Sequence, residues 1–334
     1  MEIVYFLTLL GVALSTTLDE WTNFKLAHGK SYGDQSQEKR RMEIYQRNKQ
    51  FIDEHNQRYA LGLETYTLAM NKFGDLTEEE FAEQQLGAAV YLDRHHLNTS
   101  GSTHIAGGGN LPASMDWRSM GAVTAVRDQG DCGSCYAIST ATTVETQVYL
   151  RTGELTPLSP QQIVECSNTY RYKNMACKGG WLDRTFSYIK DQGLATEADY
   201  PYTGRNTNWA IGCRYNRKLR IAARTKGFVN IKQQDEAALA DAVATAGVVA
   251  VGVQSRKSNL QFYKSGVHYS SKCDHKFIDH AMVVVGYGTT PEGEDYWLVK
   301  NSWGTSWGED GYVRMARNRG DNCGIASYAY YPTL

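Results

Sequence analysis

Three features of the 334-residue sequence predict an α+β fold. A helix-forming run over residues 137–150 begins just after Cys135. Three continuous apolar runs, at 247–253, 281–288 and 296–300, read as buried strands. A polar, helix-forming region precedes both, and it differs from them in composition: all seven cysteines lie beyond Leu111. The chain is long enough for more than one folded unit. Its formal net charge of -1 gives no reason to expect nucleic acid or an anionic membrane surface as partner.

Taken in order, residues 3–14 are almost wholly apolar, yet too short to span a bilayer. Ala13-Leu14-Ser15 then offers small residues in a cleavage-like pattern, so residues 1–15 read as a signal peptide despite lacking Lys or Arg. No later apolar run reaches membrane length, and no membrane span is expected in the mature form. Leu18, Trp21 and Phe24 recur every three residues, as one helix face does. A longer helix is expected from Gln35 to Tyr59, with Arg41, Tyr45, Asn48, Ile52 and Asn56 on one face. Thr77 followed by Glu80 predicts a capping box on a short helix. Asn98-Thr99-Ser100 is a glycosylation sequon. Residues 101–110 hold four glycines and read as a flexible, cleavable linker. The expected division is 1–15, 16–110 and 111–334.

The chemistry centres on Gln129-Gly130-Asp131-Cys132-Gly133-Ser134-Cys135-Tyr136. Cys135 would sit at a helix N-terminus, where backbone amides and the macrodipole favour a thiolate. Taken alone, the C-x-x-C of Cys132 and Cys135 is open to three readings: a redox dithiol, half a zinc site, or a structural cysteine beside a nucleophile. Two distant stretches shift the balance. His280 stands at the start of the 281–288 run, and Asn301-Ser302-Trp303 follows the 296–300 run. A histidine can stabilise a thiolate and protonate a leaving amine. An asparagine can hold that histidine in one orientation without adding charge. Trp303 could shield their hydrogen bond. An oxyanion would need donors, and the Gln129 side chain and the Cys135 backbone N–H are the candidates.

Cys132-Gly133-Ser134-Cys135-Tyr136, with its downstream histidine and asparagine, resembles the active-site signature of papain-family cysteine proteases. The resemblance covers roughly residues 18–334 and is closest to the cathepsin L type. The helical stripe resembles the family's prosegment motif, with Gln37 for its leading glutamate and Tyr45 for its phenylalanine. Asn71-x-Phe73-x-Asp75 resembles the second prosegment motif, with Ala69 for its first glycine. Tyr136 stands where tryptophan is usual, and Ile138 where phenylalanine is. The resemblance implies a two-lobed papain-like fold, helical on one side and antiparallel and barrel-like on the other. It also implies an inhibitory prosegment that threads the cleft backwards.

The resemblance further implies the disulfides Cys132–Cys177, Cys166–Cys213 and Cys273–Cys323, leaving Cys135 free. It places Gly179 and Gly180 along the cleft, and Trp181, Leu182, Gly252, Ile278 and Tyr328 around the pocket for the second residue before the scissile bond. Tyr328 lies where cathepsin L has a small residue, which predicts a shallower pocket with a polar tip. No insertion between Pro157 and Cys213 resembles the occluding loop of carboxydipeptidase relatives. The implied function is a cysteine endopeptidase made as a zymogen, in the secretory pathway, lysosomal or extracellular. Its expected partners are protein and peptide substrates and its own prosegment. No metal or other cofactor is implied, and a monomer is expected. Two other classes stay in view: an inhibitory protein whose prosegment is the active product, and a dithiol oxidoreductase.

Overall fold

The computed structural model describes residues 18–87, 90–91, 101–204, 212–214, 219–256 and 258–334. The leader and the sequon at Asn98 lie outside the described residues. Residues 18–28 form α1, and Gln35–Ala60 forms α2, capped by the Asp34 side chain on the Gln37 N–H. Trp21 and Phe24 pack with Tyr45 into a small aromatic core. Leu18, expected on that face, is 52% exposed and lies outside that cluster. The polar residues of the α2 stripe bond to the chain that follows it. Arg41 donates to the Asp75 carbonyl, Asn48 to the Gly74 and Leu76 carbonyls, and Asn56 brackets the backbone of Leu68. α3 (Glu78–Gln85) starts with the Thr77/Glu80 capping box.

Among the described residues before 111 the strands are β1 (Tyr66–Leu68), β2 (Val90–Tyr91) and β3 (Ser102–His104). Then follow β4 (Met115–Asp116), β5 (Gly227–Ile231), β6 (Val249–Val253), β7 (Tyr263–His268), β8 (Phe277–Ile278), β9 (His280–Thr289), β10 (Asp295–Lys300), β11 (Tyr312–Ala316) and β12 (Ala329–Thr333). Among the described residues the main ladder runs β1-β7-β11-β10-β9-β6-β12-β5-β3, with β4 on β9. It is antiparallel except for the parallel pairs β7/β11 and β3/β5.

The β3/β5 pair corrects the linker reading. Residues 102–104 form an ordered edge strand, fastened by His104 to Asp241 at 2.8 Å and to Tyr331 at 3.0 Å. Gly101 suits this site because a Cβ there would meet the Phe228 carbonyl oxygen at 2.3 Å. Glycine content alone does not reveal a strand partner more than 100 residues away. Residues 107–110 carry no regular structure and are exposed.

The remaining helices are α4 (Cys135–Thr152), α5 (Pro160–Cys166), α6 (Leu182–Gln192) and α7 (Glu236–Thr245). α4 is buried from Cys135 to Thr146 and ends at Gly153, whose φ of 77° is left-handed. Its buried threonines bond back to helix carbonyls, Thr140 to Tyr136 and Thr143 to Thr140. α4 and α7 both pack against β6 and β9, which explains why those strands read as unbroken apolar runs. Two apolar cores result. One gathers α4, α5 and α6; the other fills the sheet beneath α7. No helix among the described residues is long and apolar enough to cross a membrane.

Candidate active site

The cleft forms where α4 meets the start of β9. Cys135 is the first residue of α4, and its sulfur faces the backbone N–H groups of Tyr136, of Ala281 next to His280, and of Gly87. It is the free cysteine; Cys132–Cys177, Cys166–Cys213 and Cys273–Cys323 are bonded. The C-x-x-C is therefore not a dithiol in this structure, and no metal-binding cluster occurs among the described residues. Cys132–Cys177 ties the loop before α4 to the turn carrying Gly179, and Gly133 N–H reaches the Cys177 carbonyl at 2.9 Å.

His280 opens β9, and Asn301 follows β10. The His280 Nε2–H donates to Asn301 Oδ1 at 2.8 Å, which leaves Nδ1 as the basic nitrogen. Trp303 stacks on the imidazole at 4.6 Å and is fully buried. Burial dominates the electrostatics here. It pushes the Cys135 thiol up to about 11, although three backbone N–H groups favour the thiolate. It pushes His280 down to about 4, against the pull of Asn301. The helix terminus thus favours a thiolate as the sequence suggests, but exclusion of water works against it and favours the neutral form of both groups.

Gln129 is also fully buried. Its Nε2 donates to the Gln85 carbonyl at 2.8 Å and to the Cys132 carbonyl at 3.0 Å. Its Oε1 accepts from Ser302 Oγ at 2.6 Å, and its backbone N–H reaches the Ser302 carbonyl at 2.8 Å. Ser302 therefore aims the amide into the cleft. The Asn301-Ser302-Trp303 run contains this residue, but nothing in the sequence marks its hydroxyl as a partner of Gln129. A buried network behind the site was equally hidden. Lys300 Nζ donates to the Thr124 carbonyl at 2.7 Å, Thr124 Oγ1 to Glu145 at 2.6 Å, and Arg127 to Glu145 at 2.9 Å. Burial brings Lys300 down to about 8. The network joins the strand end carrying Asn301 to the loop carrying Gln129.

The cleft is occupied by the chain's own residues 85–87. Gly180 N–H donates to the Gly87 carbonyl at 2.8 Å. A Cβ on Gly87 would lie 1.9 Å from the Gly133 carbonyl oxygen, and one on Gly179 would lie 2.2 Å from the Gly87 carbonyl oxygen. Backbone here meets backbone, which only glycine permits. Tyr136 lies beneath this wall. A Cβ on Gly180 would touch its ring at 2.6 Å, and its hydroxyl donates to the Ala176 carbonyl at 3.2 Å. The phenol thus fits where tryptophan was expected, and Ile138 is buried in the same helix.

Of the pocket residues, Leu182, Ile278 and Tyr328 are buried together in the helical core, with Trp181 packed at its margin. A Cβ on Gly252 would meet Ile278 at 2.5 Å and Tyr328 at 2.8 Å. The expected polar tip is corrected. The Tyr328 hydroxyl donates to Asp183 at 2.8 Å and accepts from the Leu182 N–H at 3.1 Å.

Comparisons agree with this geometry. Residues 111–333 match the papain family cysteine protease model, and residues 21–81 match the cathepsin propeptide inhibitor domain. A cathepsin L-like peptidase of Aedes aegypti is 45% identical, covering 95% of this chain and 93% of that protein. Digestive cysteine proteinase 2 of Homarus americanus is 43% identical, covering 98% of each chain. The structure of digestive procathepsin L 3 from the Tenebrio molitor larval midgut superimposes with a TM-score of 0.85 at 42% identity, covering 95% of this chain and 99% of that one.

Proposed function

Given that the chain belongs to the papain family of cysteine proteases and carries an inhibitory cathepsin propeptide domain, we propose that it is an endopeptidase working through an acyl-thioester on Cys135. The observation that carries this reading is a peptide already seated at the site. Gln129 Nε2 donates to a main-chain carbonyl of that peptide, that of Gln85, two residues from the Gly87 N–H that faces the Cys135 sulfur.

In the proposed reaction, removal of residues 85–87 admits water and substrate. The thiol proton passes to His280 Nδ1, and the thiolate attacks the scissile carbonyl carbon. The oxyanion is held by Gln129 Nε2–H and the Cys135 backbone N–H. His280 returns the proton to the leaving amine. Water then attacks the thioester with His280 as base, releasing the acid and restoring the thiol. Asn301 keeps Nδ1 turned to the sulfur throughout, and Trp303 keeps water from their bond. Trp181, Leu182, Gly252, Ile278 and Tyr328 would receive an apolar side chain two residues before the scissile bond. The absence of an occluding-loop insertion favours internal cleavage over dipeptide trimming.

The prosegment would be 16–110, cut within the exposed residues 107–110. Cleavage would take place in the secretory pathway, in a lysosomal or extracellular compartment; relatives named as digestive proteinases are compatible with either. Asn98 would carry glycan, and the mature enzyme would be a monomer. The test is acid incubation of the precursor beside Cys135→Ala. The wild-type chain should release a product starting near residue 111 and one epoxide-reactive thiol. The variant should release neither, and processing of the variant alone would overturn the proposal.

A further inference from the structure

Tyr328 does more than line a pocket. It stands just before β12, and Gly252 N–H holds its carbonyl at 2.7 Å. Its ring lies on Gly252, with Tyr330 edge-on behind it at 5.1 Å. Its hydroxyl crosses to the other lobe and meets the first turn of α6. There Trp181, the N-cap residue, makes no side-chain capping bond. The phenol oxygen takes the Leu182 N–H instead, and its own proton goes to Asp183 Oδ1. Asp183 and Tyr328 are buried to 4% and 3% exposure. Buried groups of this kind are costly to leave unpaired.

We infer that Asp183 is a positioning residue for specificity: by holding the Tyr328 phenol across the cleft floor, it closes the pocket for the second residue before the scissile bond, so that short aliphatic side chains are preferred to aromatic ones. The inference rests on the proposed placement of Tyr328 in that pocket. Asp183 touches no substrate; it acts through the ring it anchors. Without the carboxylate the phenol keeps only the Leu182 N–H, has no acceptor for its proton, and can tilt away from the floor. Asparagine retains an acceptor oxygen and should hold the ring in place.

The test uses full-length precursors, acid-processed and titrated with an active-site epoxide. The readout is the ratio of kcat/KM for two peptides differing only in valine or phenylalanine at that position. Asp183→Ala should move the ratio toward phenylalanine by about tenfold, the scale on which small pockets discriminate. Tyr328→Phe should shift it similarly, and provides the result if Asp183→Ala fails to accumulate. Asp183→Asn should keep the wild-type ratio, which a loss of general stability would not explain. Tyr328→Ala should give the largest shift, and Asp183→Ala added to it should give none. If Asp183→Ala or Tyr328→Phe keeps the wild-type ratio while Tyr328→Ala shifts it, the role of Asp183 is overturned and the pocket stands. If Tyr328→Ala leaves the ratio unchanged, the pocket assignment itself fails.

Discussion

The prosegment holds the peptidase domain in two physically different ways. Around residues 66–81 it docks through side chains and a strand ladder. β1 adds antiparallel to β7, Asn71 donates to the Gln261 carbonyl at 2.8 Å, and Phe73 and Phe81 meet Trp303 edge-on at 5.8 and 5.2 Å. At 85–87 it threads the cleft chiefly through main chain, sliding Gly87 between Gly133 and Gly179, while the Gln85 side chain donates to the Gly130 carbonyl at 3.1 Å. The dock buries aromatic side chains, whereas the thread fills the cleft. The thread is also out of register for cleavage: Gln129 addresses the Gln85 carbonyl while the Cys135 sulfur faces the Gly87 N–H. The proposed oxyanion donor and nucleophile thus engage different peptide units, so the bound segment is not poised for attack.

This contrast can be broken from either side, using precursors on a Cys135→Ala background cleaved by added mature enzyme. The largest effect is expected at the dock. Phe81→Ala removes a buried ring touching both Phe73 and Trp303. A loss of about 3–5 kcal/mol should make the precursor cleavable at neutral pH. Resistance equal to the parent would show that the aromatic cluster adds little. Gly87→Ala should be milder, about 1–3 kcal/mol of crowding, and selective. Hydrogen exchange at 85–87 should rise while the β1 amides stay protected; loss of protection at both would merge the two regions into one.

The dock is also the expected site of pH sensitivity. His268 in β7 is buried, with Nε2 2.6 Å from the Ser258 carbonyl and its ring 4.8 Å from prosegment Tyr66. Facing it are His55 on α2 and Tyr263 on its own strand. Burial lowers His268 from 6.5 to about 4. A depressed histidine contributes stability above its unfolded value and loses it as pH falls from 6.5 toward 4. Glu80 acts in a lower window. Burial raises it, but the Arg41 hydrogen bond and charge hold it below 4.5, so its contribution is lost only as pH falls beneath that value. His268→Gln should therefore move the pH midpoint of prosegment release downward, whereas Glu80→Gln should weaken the dock at neutral pH. An unchanged midpoint in His268→Gln would remove this residue from the switch. The smallest effect is expected at Lys49–Asp53, an exposed pair on α2. Lys49→Ala should change release by less than about twofold, since such pairs contribute roughly 0.3–0.5 kcal/mol.

Short-range physics determined what the sequence showed by itself. The helix cap at Thr77/Glu80, the 3.6-residue stripe on α2, and the unbroken apolar runs of β6, β9 and β10 all depend on neighbours a few positions away. Cys135, His280, Asn301 and Gln129 were legible because of their local motifs, and the fold gathers them in one cleft. Other features needed partners far along the chain. Ser102–His104 became a strand because β5 offered an open edge, and Tyr328 turned its hydroxyl away from the cleft because Asp183 and the α6 terminus lay across from it. The upward push on the Cys135 thiol has the same origin. A helix N-terminus is written locally and favours the thiolate, but burial depends on every segment that closes the site, including residues 85–87 of the prosegment, and here burial is the larger effect.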